Sequence, residues 1–340
     1  MKKIALVLSG GGAKGAFQAG ALRYIQEHIQ PKVEGFAYTA VSGVSVGSLN
    51  GAMVAQNELD QLLQIWNSVE DKKIYKGKLN LPSVLWRLAT KGSKQSVLDS
   101  SPLEKLVRQY INRQKVLQTG IHYTAGSVSL YDGKYYSYSA KEVDDFNFQQ
   151  SVLASSLMPI LWKPVTEIKS QKGSAWQVVD GGLRNNSPLG DVLDQNPDEV
   201  IIINCTPFKD SAGQLKPSTE ASKNVFTIAK RSLLEIALNE IFITDLREYL
   251  DINHLVQQAI AGGVQLKSQK GRVLKAYKTI LISPEEPLGD MLDFSQKAVQ
   301  PRLKQGYEAA RKAFENYTPI SEEPKLHANV AFRTASENIA

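Results

Sequence analysis

The stretch YTAVSGVSVGSLNGA, residues 38–52, places an apolar strand pattern directly before G-x-S-x-G and a run of small residues typical of a helix. This order predicts a nucleophile elbow, a sharp strand-to-helix turn that exposes a serine hydroxyl at the end of a sheet. Ser45 is therefore the candidate nucleophile, and the alternative is a structural serine in a tight turn. Gly43 and Gly47 flank it because larger side chains would collide across such a turn. The N-terminus of the following helix faces the charge that develops during attack.

The chain begins with a second strand-to-helix junction, LVLSGGGAKGAF, at residues 6–17. Its glycines fit the dinucleotide fingerprint G-x-G-x-x-G, and amides bunched at a helix N-terminus bind anions. A dinucleotide site requires an acidic residue at the end of the second strand. Glu34 instead precedes that strand, which ends in the serine motif. We therefore expect the amides of Gly10, Gly11 and Gly12 to face an acyl oxyanion beside the serine.

A third motif, VVDGGLRNNSP at residues 178–188, supplies a candidate base. An apolar strand ends in Asp180, and Gly181 and Gly182 let the backbone turn away closely behind it. In a parallel sheet, this position sets the carboxylate at the carboxyl edge of the strands, where the elbow also emerges. A serine hydroxyl is a poor nucleophile without a base. Because the reference pKa of aspartate is near 3.9, we expect burial and hydrogen bonding to make Asp180 an effective one.

The rest of the chain alternates short apolar, β-branched runs with longer amphipathic stretches. This alternation predicts βαβ units and a largely parallel sheet with helices on both faces. Strands are predicted at residues 3–8, 36–42, 176–179, 200–204 and 279–282, and a hairpin joins residues 124–130 to 134–139. Helices are predicted at residues 15–29, 46–69, 102–112, 141–157, 225–261 and 295–316.

The composition is that of an ordinary globular protein, with 42% hydrophobic and 22% charged residues among 340. A formal net charge of +6 mildly favours anionic surfaces, and no motif predicts a nucleic-acid partner. Cys205 is the single cysteine, so no internal disulfide forms and a reducing compartment is favoured. The apolar run near the start is too short for a signal peptide, and no run of about 18 apolar residues occurs. The sequence therefore predicts a cytoplasmic protein.

Together the three motifs resemble those of the patatin-like phospholipase family. The resemblance covers residues 3–205 and includes ASSLMP at residues 154–159, similar to A-S-S-x-x-P, and NNSP at residues 185–188, similar to N-N-x-P. It implies a three-layer α/β/α sandwich with a mainly parallel central sheet. It also implies hydrolysis of lipid acyl esters by a Ser–Asp dyad, with no histidine, metal or other cofactor. Ser45 would be the nucleophile and Asp180 the proton acceptor.

The glycine loop extends this match through Lys14 and Gly15. We expect Lys14 to brace the loop against a carboxylate, the alternative being that it lends positive charge near the oxyanion. On the basis of the resemblance, residues 1–206 are predicted to form the catalytic domain and residues 207–318 a mostly helical part that packs on it. Residues 319–340 are predicted to be a loose tail.

Residues 72–94 carry seven basic residues and no acidic one, interleaved with leucines and a tryptophan. This pattern suits an anionic membrane interface, and the alternative is a solvated loop followed by a short core-packed helix. The expected partners are therefore a phospholipid or other lipid ester as substrate and an anionic membrane in peripheral contact.

Three other functions fit parts of the sequence. The order Ser45, Asp180, His254 matches that of α/β-hydrolases with a Ser–His–Asp triad, although His254 lies in a long helical pattern away from any strand end. A serine-elbow acyltransferase is the second alternative, and a non-catalytic lipid-binding protein is the third. Labelling by a serine-directed fluorophosphonate separates the third from the enzymes.

Overall fold

The computed structural model describes residues 2–77, 96–208, 227–228, 230–268, 271 and 273–315. Within these ranges, one mixed β-sheet lies between two layers of helices. Its strands are β1 Ile4–Leu8, β2 Tyr38–Val44, β3 His122–Ser129, β4 Tyr135–Ser139, β5 Val165–Ser170, β6 Gly173–Asp180, β7 Glu199–Ile203 and β8 Lys278–Ile282. The α-helices are α1 Gly15–Tyr24, α2 Val46–Ala55, α3 Leu59–Ser68, α4 Asp71–Ile74, α5 Ser101–Tyr110, α6 Arg113–Thr119, α7 Asp145–Ser155, α8 Leu189–Leu193, α9 Leu238–Ala261 and α10 Gln296–Ala313.

Strand β1 lies at the centre of the sheet and is buried along its whole length. It pairs in parallel with β2 on one side and with β7 on the other, and β8 extends the sheet beyond β7. The strand order is β5-β6-β3-β2-β1-β7-β8, with β4 paired to β3. A strand covered on both faces needs a continuous apolar sequence, and IALVL provides one.

Alternate side chains of β1 contribute to two separate cores. Leu6 and Leu8 pack in the core beneath α1, α2, α3 and α10. Ala5 and Val7 pack in the core beneath α8 and α9. Because successive strand residues point to opposite faces, this division produces three layers. The α/β/α sandwich predicted from the sequence is confirmed.

The sheet is less uniformly parallel than the sequence suggested. Strands β1, β2, β3, β7 and β8 are parallel to their neighbours in that group. Strand β4 runs antiparallel to β3, as the hairpin pattern predicted. Strand β6, which contains the predicted strand 176–179, also runs antiparallel to β3, and β5 runs antiparallel to β6. The expectation that Asp180 ends a parallel strand is therefore wrong.

The predicted helices are present with three interruptions in the described residues. The pattern at residues 15–29 passes from α1 into a π-helical segment, Ile25–Ile29. The pattern at residues 46–69 divides into α2 and α3 at Asn57, whose φ of 59° lies in the left-handed region that stops an α-helix. The pattern at residues 225–261 contains a π-helical segment, Lys230–Ala237, before α9 begins. Periodicity predicts such helices well but does not register a local change in backbone winding.

The chain after residue 206 contributes to the same sheet as the chain before it. Strand β8 pairs with β7 over Lys278–Ile282, and α10 packs along α1. The predicted tail at residues 319–340 and residues 78–94 of the basic segment lie outside the described residues. None of the helices that the structure describes is long and apolar enough to cross a membrane.

The crossing of α1 and α10 requires glycine at two points. A Cβ added to Gly306 would lie 1.8 Å from the Phe17 carbonyl oxygen, and one added to Gly20 would lie 1.9 Å from that of Leu303. Both contacts are with backbone atoms, which cannot rotate away. The two helices therefore approach as closely as their backbones permit.

We predict that Gly306→Ala destabilises the fold by about 1–3 kcal/mol, the usual cost of overpacking. This loss exceeds the gain of about 0.5–1 kcal/mol that alanine brings inside a helix. Gly190→Ala is the matched control, because a Cβ on this helical glycine meets no atom within 4 Å. Urea denaturation should show a loss for the first variant and none for the second, and equal stabilities would contradict the packing argument.

Candidate active site

Ser45 occupies a strained turn between β2 and α2. Its φ of 57° and ψ of −132° are unusual for a residue with a side chain, and such backbone strain costs about 1–3 kcal/mol. A Cβ on Gly43 would lie 2.2 Å from the Gly47 carbonyl oxygen, so a side chain there would indeed collide across the turn. A Cβ on Gly47 would meet the Leu8 carbonyl oxygen at 2.3 Å, so that glycine is required by the neighbouring strand instead.

Three other serines fix the backbone of Ser45. The Ser45 N–H donates to Ser155 Oγ at 3.0 Å, and Ser155 Oγ donates in turn to the Gly126 carbonyl oxygen at 2.6 Å. The Ser45 carbonyl oxygen accepts from Ser48 Oγ at 2.7 Å and from Ser156 Oγ at 3.1 Å. The A-S-S-x-x-P segment thus supports the elbow, a role that its sequence did not reveal.

Asp180 reaches the elbow because β2 and β6 share one edge of β3. Strand β4 covers the other edge over residues 124–128. Strand β2 pairs with residues 122–126 of β3, and β6 pairs with residues 127–129. The two strands therefore meet end to end, with Val44 opposite Gly126 and Asp180 opposite the next residue of β3. Strand β6 runs antiparallel to β3 and ends at Asp180, so the carboxylate lies next to the end of β2, where the elbow begins.

Asp180 as a residue is only 4% exposed, and this burial raises the pKa of its carboxyl group to about 6. The Gly182 N–H, which donates to Asp180 Oδ1 at 2.8 Å, lowers the pKa in part, as does hydrogen bonding with the Ser45 side chain. A Cβ on Gly181 would lie 2.4 Å from the Gly126 carbonyl oxygen, so the chain can turn here only through glycine. A carboxylate desolvated in this way is a stronger base than one in water.

The three amides of the glycine loop differ in their hydrogen bonding. The Gly10 N–H donates to Asn186 Oδ1 at 3.1 Å, which corrects the expectation that Gly10 faces an oxyanion. The amides of Gly11 and Gly12 have no hydrogen-bond acceptor among the residues that the structure describes. Gly12 has a φ of 57°, lines the same cavity as Ser45, and is the loop position that needs a left-handed backbone.

The positions that follow in the glycine loop lie against the start of α2 and near Cys205. A Cβ on Gly15 would lie 2.3 Å from Val46 Cγ2, so α1 begins in contact with α2. The charge of Lys14 acts on the buried Cys205 thiol and lowers its pKa, although burial has the larger effect and raises that pKa to about 12. The bracing role of Lys14 remains a prediction.

A cavity of about 110 Å³ opens at Ser45 and Asp180. Its walls are almost entirely apolar and come from α2, α3, α5 and residues 291–294, for example Leu49, Met53, Leu62, Trp66, Val107 and Met291. Such a pocket suits a hydrocarbon chain, and Ser45, Ser156 and Asp180 are among its few polar lining residues.

The histidines stand apart from this site. None of His28, His122 and His254 lines the cavity in the described part of the chain, and His327 lies outside it. His254 is exposed on α9, with its Nε2 atom 2.9 Å from the Gln258 amide nitrogen. Across the described ranges, no group of His, Cys, Asp and Glu side chains has the arrangement of a metal site.

The fold and the site define an α/β protein in which a serine on a strained strand-to-helix turn lines an apolar cavity. Residues 6–193 match the patatin-like phospholipase family, and because this is more than half of the chain, the protein belongs to that family. Membership supports a lipid hydrolase function.

Three solved structures give a similar overall trace, with TM-scores below 0.5. They are VipD from Legionella pneumophila (13% identity, TM-score 0.48), the type III effector protein ExoU (15%, 0.40) and human GIVD cytosolic phospholipase A2 (10%, 0.43). The match covers 93% of this chain in each case, but 67%, 53% and 61% of the respective structures. No curated protein matches the chain.

The raised pKa of Asp180 predicts that Asp180→Asn stabilises the protein at neutral pH. The pKa of Asp180 is about 6 in the folded protein, against an ordinary value of 3.8, so the wild type loses stability as pH rises from about 4 to 6. Above that window the full cost, about 3 kcal/mol at most, is present. Asparagine carries no charge to desolvate, and its carbonyl oxygen can still accept from the Gly182 N–H.

Urea denaturation at about pH 7.5 and about pH 4 tests this. The gain from Asp180→Asn should appear at the higher pH and vanish at the lower. Asp132→Asn is the control of opposite sign, because hydrogen bonds lower the pKa of Asp132 to about 2 and its charge therefore favours folding at neutral pH. An Asp180 variant with the same stability difference at both pH values would contradict the assigned environment.

Proposed function

We propose that this protein is a serine lipid acyl hydrolase of the phospholipase or lysophospholipase type, with Ser45 and Asp180 as a catalytic dyad. The observation that carries the proposal is that both residues line the same, almost entirely apolar cavity. The desolvated carboxylate of Asp180 supplies the base that a serine hydroxyl needs. No histidine and no metal enters the proposed reaction.

In the acylation step, Asp180 takes the proton of the Ser45 hydroxyl as Ser45 Oγ bonds to the ester carbonyl carbon. The carbonyl oxygen becomes an oxyanion, which the amides of Gly11 and Gly12 stabilise by hydrogen bonding. When this intermediate collapses, the ester C–O bond breaks and the alcohol leaves with the proton held by Asp180. The acyl group remains on Ser45.

In the deacylation step, a water molecule gives a proton to Asp180 and adds to the acyl carbon through its oxygen. The same two amides stabilise the second oxyanion. Collapse breaks the bond to Ser45 Oγ, which regains the proton from Asp180, and the fatty acid is released. The enzyme returns to its starting protonation state, so no cofactor is consumed.

The cavity suits one hydrocarbon chain, with the ester at Ser45 and the head group outside. We propose peripheral contact with an anionic membrane, where such amphiphiles reside. Leu130 and Tyr131, at the tip of the β3–β4 hairpin, are 47% and 75% exposed. Arg184 lies in the turn that follows Asp180. It donates to the Gly133 carbonyl oxygen at 2.7 Å and so connects the hairpin tip to that turn.

We predict that Ser45→Ala abolishes ester hydrolysis and fluorophosphonate labelling while leaving the fold intact. His254→Gln is the matched control: it should retain most activity, because the imidazole lies outside the site. Kinetics on a phospholipid and lysophospholipid panel measure both effects. A loss of about 10²–10⁴-fold in the histidine variant would favour a triad instead, and an unlabelled, inactive wild type would favour a binding protein.

The oxyanion role of the glycine loop predicts a kcat effect for Gly11→Ala. A Cβ on Gly11 would lie 2.5 Å from Cys205 Cβ, so the loop must shift and misdirect an amide. Losing one such donor typically lowers kcat by about 10²–10³-fold, and KM should change little because the interaction forms mainly in the transition state.

A second substitution tests the cause of this loss. Cys205→Gly removes the obstructing Cβ, so Gly11→Ala combined with Cys205→Gly should recover part of the lost kcat, with Cys205→Gly alone as the reference. Calorimetry with NAD, NADP and ATP accompanies the kinetics. Tight nucleotide binding that Gly11→Ala abolishes would identify the loop as a phosphate site instead.

A further inference from the structure

Residues 288–294, which we call the clasp loop, lie between β8 and α10, beyond the part of the chain that matches the family. The loop forms one wall of the cavity through Met291, Leu292 and Phe294. It contacts the opposite wall where Phe294 stacks on Trp66, with ring centroids 6.3 Å apart. The chain after β8 therefore determines part of the shape of the proposed acyl site.

The clasp loop also holds the glycine loop through a backbone contact. The Ala13 N–H donates to the Met291 carbonyl oxygen at 2.7 Å. A Cβ on Gly12 would lie 2.3 Å from the same oxygen, so the two loops are in direct contact. A displacement of Met291 would change the direction of the neighbouring Gly12 amide.

One side chain fixes the inner face of the clasp loop. Arg302, on α10, is only 4% exposed. Its Nε, Nη2 and Nη1 atoms donate, each at 2.8 Å, to three backbone carbonyl oxygens of the loop, those of Leu288, Asp290 and Asp293. Met291 lies between the last two. The planar guanidinium group, with five donors in a rigid fork, suits a bridge between three fixed carbonyls.

The outer face of the loop has separate attachments. Tyr75 donates from its hydroxyl to the Leu292 carbonyl oxygen at 3.0 Å, and the Phe294 N–H donates to Asp71 Oδ1 at 2.8 Å. Loss of Arg302 would therefore release the inner face while the loop stays attached at its outer end. The expected result is a displaced wall rather than an unfolded segment.

We propose that Arg302 is a positioning residue for the glycine loop and for the acyl-chain specificity of the cavity. It acts through the clasp loop, by keeping the Met291 carbonyl oxygen on the Ala13 amide and the side chains of Met291 and Leu292 against the cavity. This inference rests on the proposed lipid acyl hydrolase function.

The test uses the full chain with Arg302→Met, which keeps an unbranched apolar stem but removes every donor, and Arg302→Lys, which keeps the charge but not the fork. Saturated acyl esters of graded chain length are the substrates. We expect kcat to fall by about 10²-fold for Arg302→Met, the scale of a displacement of about 1 Å in an active site, and less for Arg302→Lys. The preferred chain length should shift toward longer esters in both variants as the wall moves outward.

Two variants on the same helix separate positioning from general destabilisation. Arg311→Met makes the same chemical change at an exposed residue that pairs with Glu308 and should leave both kcat and chain-length preference unchanged. Val299→Ala removes methyl groups from a side chain that is fully buried. It should lower the melting temperature without shifting chain-length preference.

Hydrogen exchange at the Ala13 amide provides a readout that does not depend on catalysis. Exchange should be faster in Arg302→Met than in the wild type and unchanged in Arg311→Met. If the wild type hydrolyses no ester but this exchange difference is present, the proposed function fails while the clasp contact stands.

The inference is overturned if a folded Arg302→Met protein keeps wild-type kcat, chain-length preference and Ala13 protection. It is also overturned if the Val299→Ala variant reproduces the chain-length shift. Should Arg302→Met not fold, Arg302→Lys carries the same comparison, and Met291→Ala adds a second. Met291→Ala shortens the wall but keeps the carbonyl, so it should shift chain-length preference with Ala13 protection retained.

Discussion

The meeting of β2 and β6 on a single edge of β3 is the constraint on which the rest of this site depends. A strand has only two edges, and β4 occupies the other one, so the ends of β2 and β6 must abut. This junction leaves no room for side chains. A Cβ on Gly126 would lie 2.0 Å from the Tyr135 hydroxyl, and one on Gly181 would lie 2.4 Å from the Gly126 carbonyl oxygen. Glycine at these two positions lets the ends of β2 and β6, and therefore Ser45 and Asp180, lie close together.

The same junction accumulates energetic costs that a purely structural turn would avoid. Ser45 has a positive φ, in the left-handed region. Asp180 is buried, and the groups that lower its pKa are hydrogen-bonding partners, the Gly182 N–H and the Ser45 side chain, rather than a positive charge. Asp191 is partly buried, and desolvation raises the pKa of its carboxyl group, an effect partly offset by the hydroxyls of Ser137, Tyr135 and Ser42. Strain and poorly solvated carboxylates cluster at functional sites because surrounding packing can sustain them there. The hydrogen bonds that Ser48, Ser155 and Ser156 make to the backbone of Ser45 supply that support.

The sequence predicted most of this architecture for identifiable reasons. Apolar β-branched runs and glycine-rich strand ends are local signals, so β1, β2 and the elbow were found with small errors in their limits. Strand direction is not a local property, and the antiparallel course of β6 was missed for that reason. The Asn186 side chain was also missed as the partner of the Gly10 amide, since 176 positions separate them and asparagine after a turn ordinarily indicates only the turn.

The recognition motifs end at Pro188, yet the cavity and the glycine loop are completed by residues 288–294 and by Arg302. These later contacts are made mainly to backbone carbonyl oxygens, which every residue type possesses. A sequence can therefore vary widely across the clasp loop while keeping the same hydrogen bonds, and no motif marks it. The motifs that carry the candidate chemistry and the later residues that shape the cavity therefore occupy different parts of one chain, joined at the contact between Ala13 and Met291.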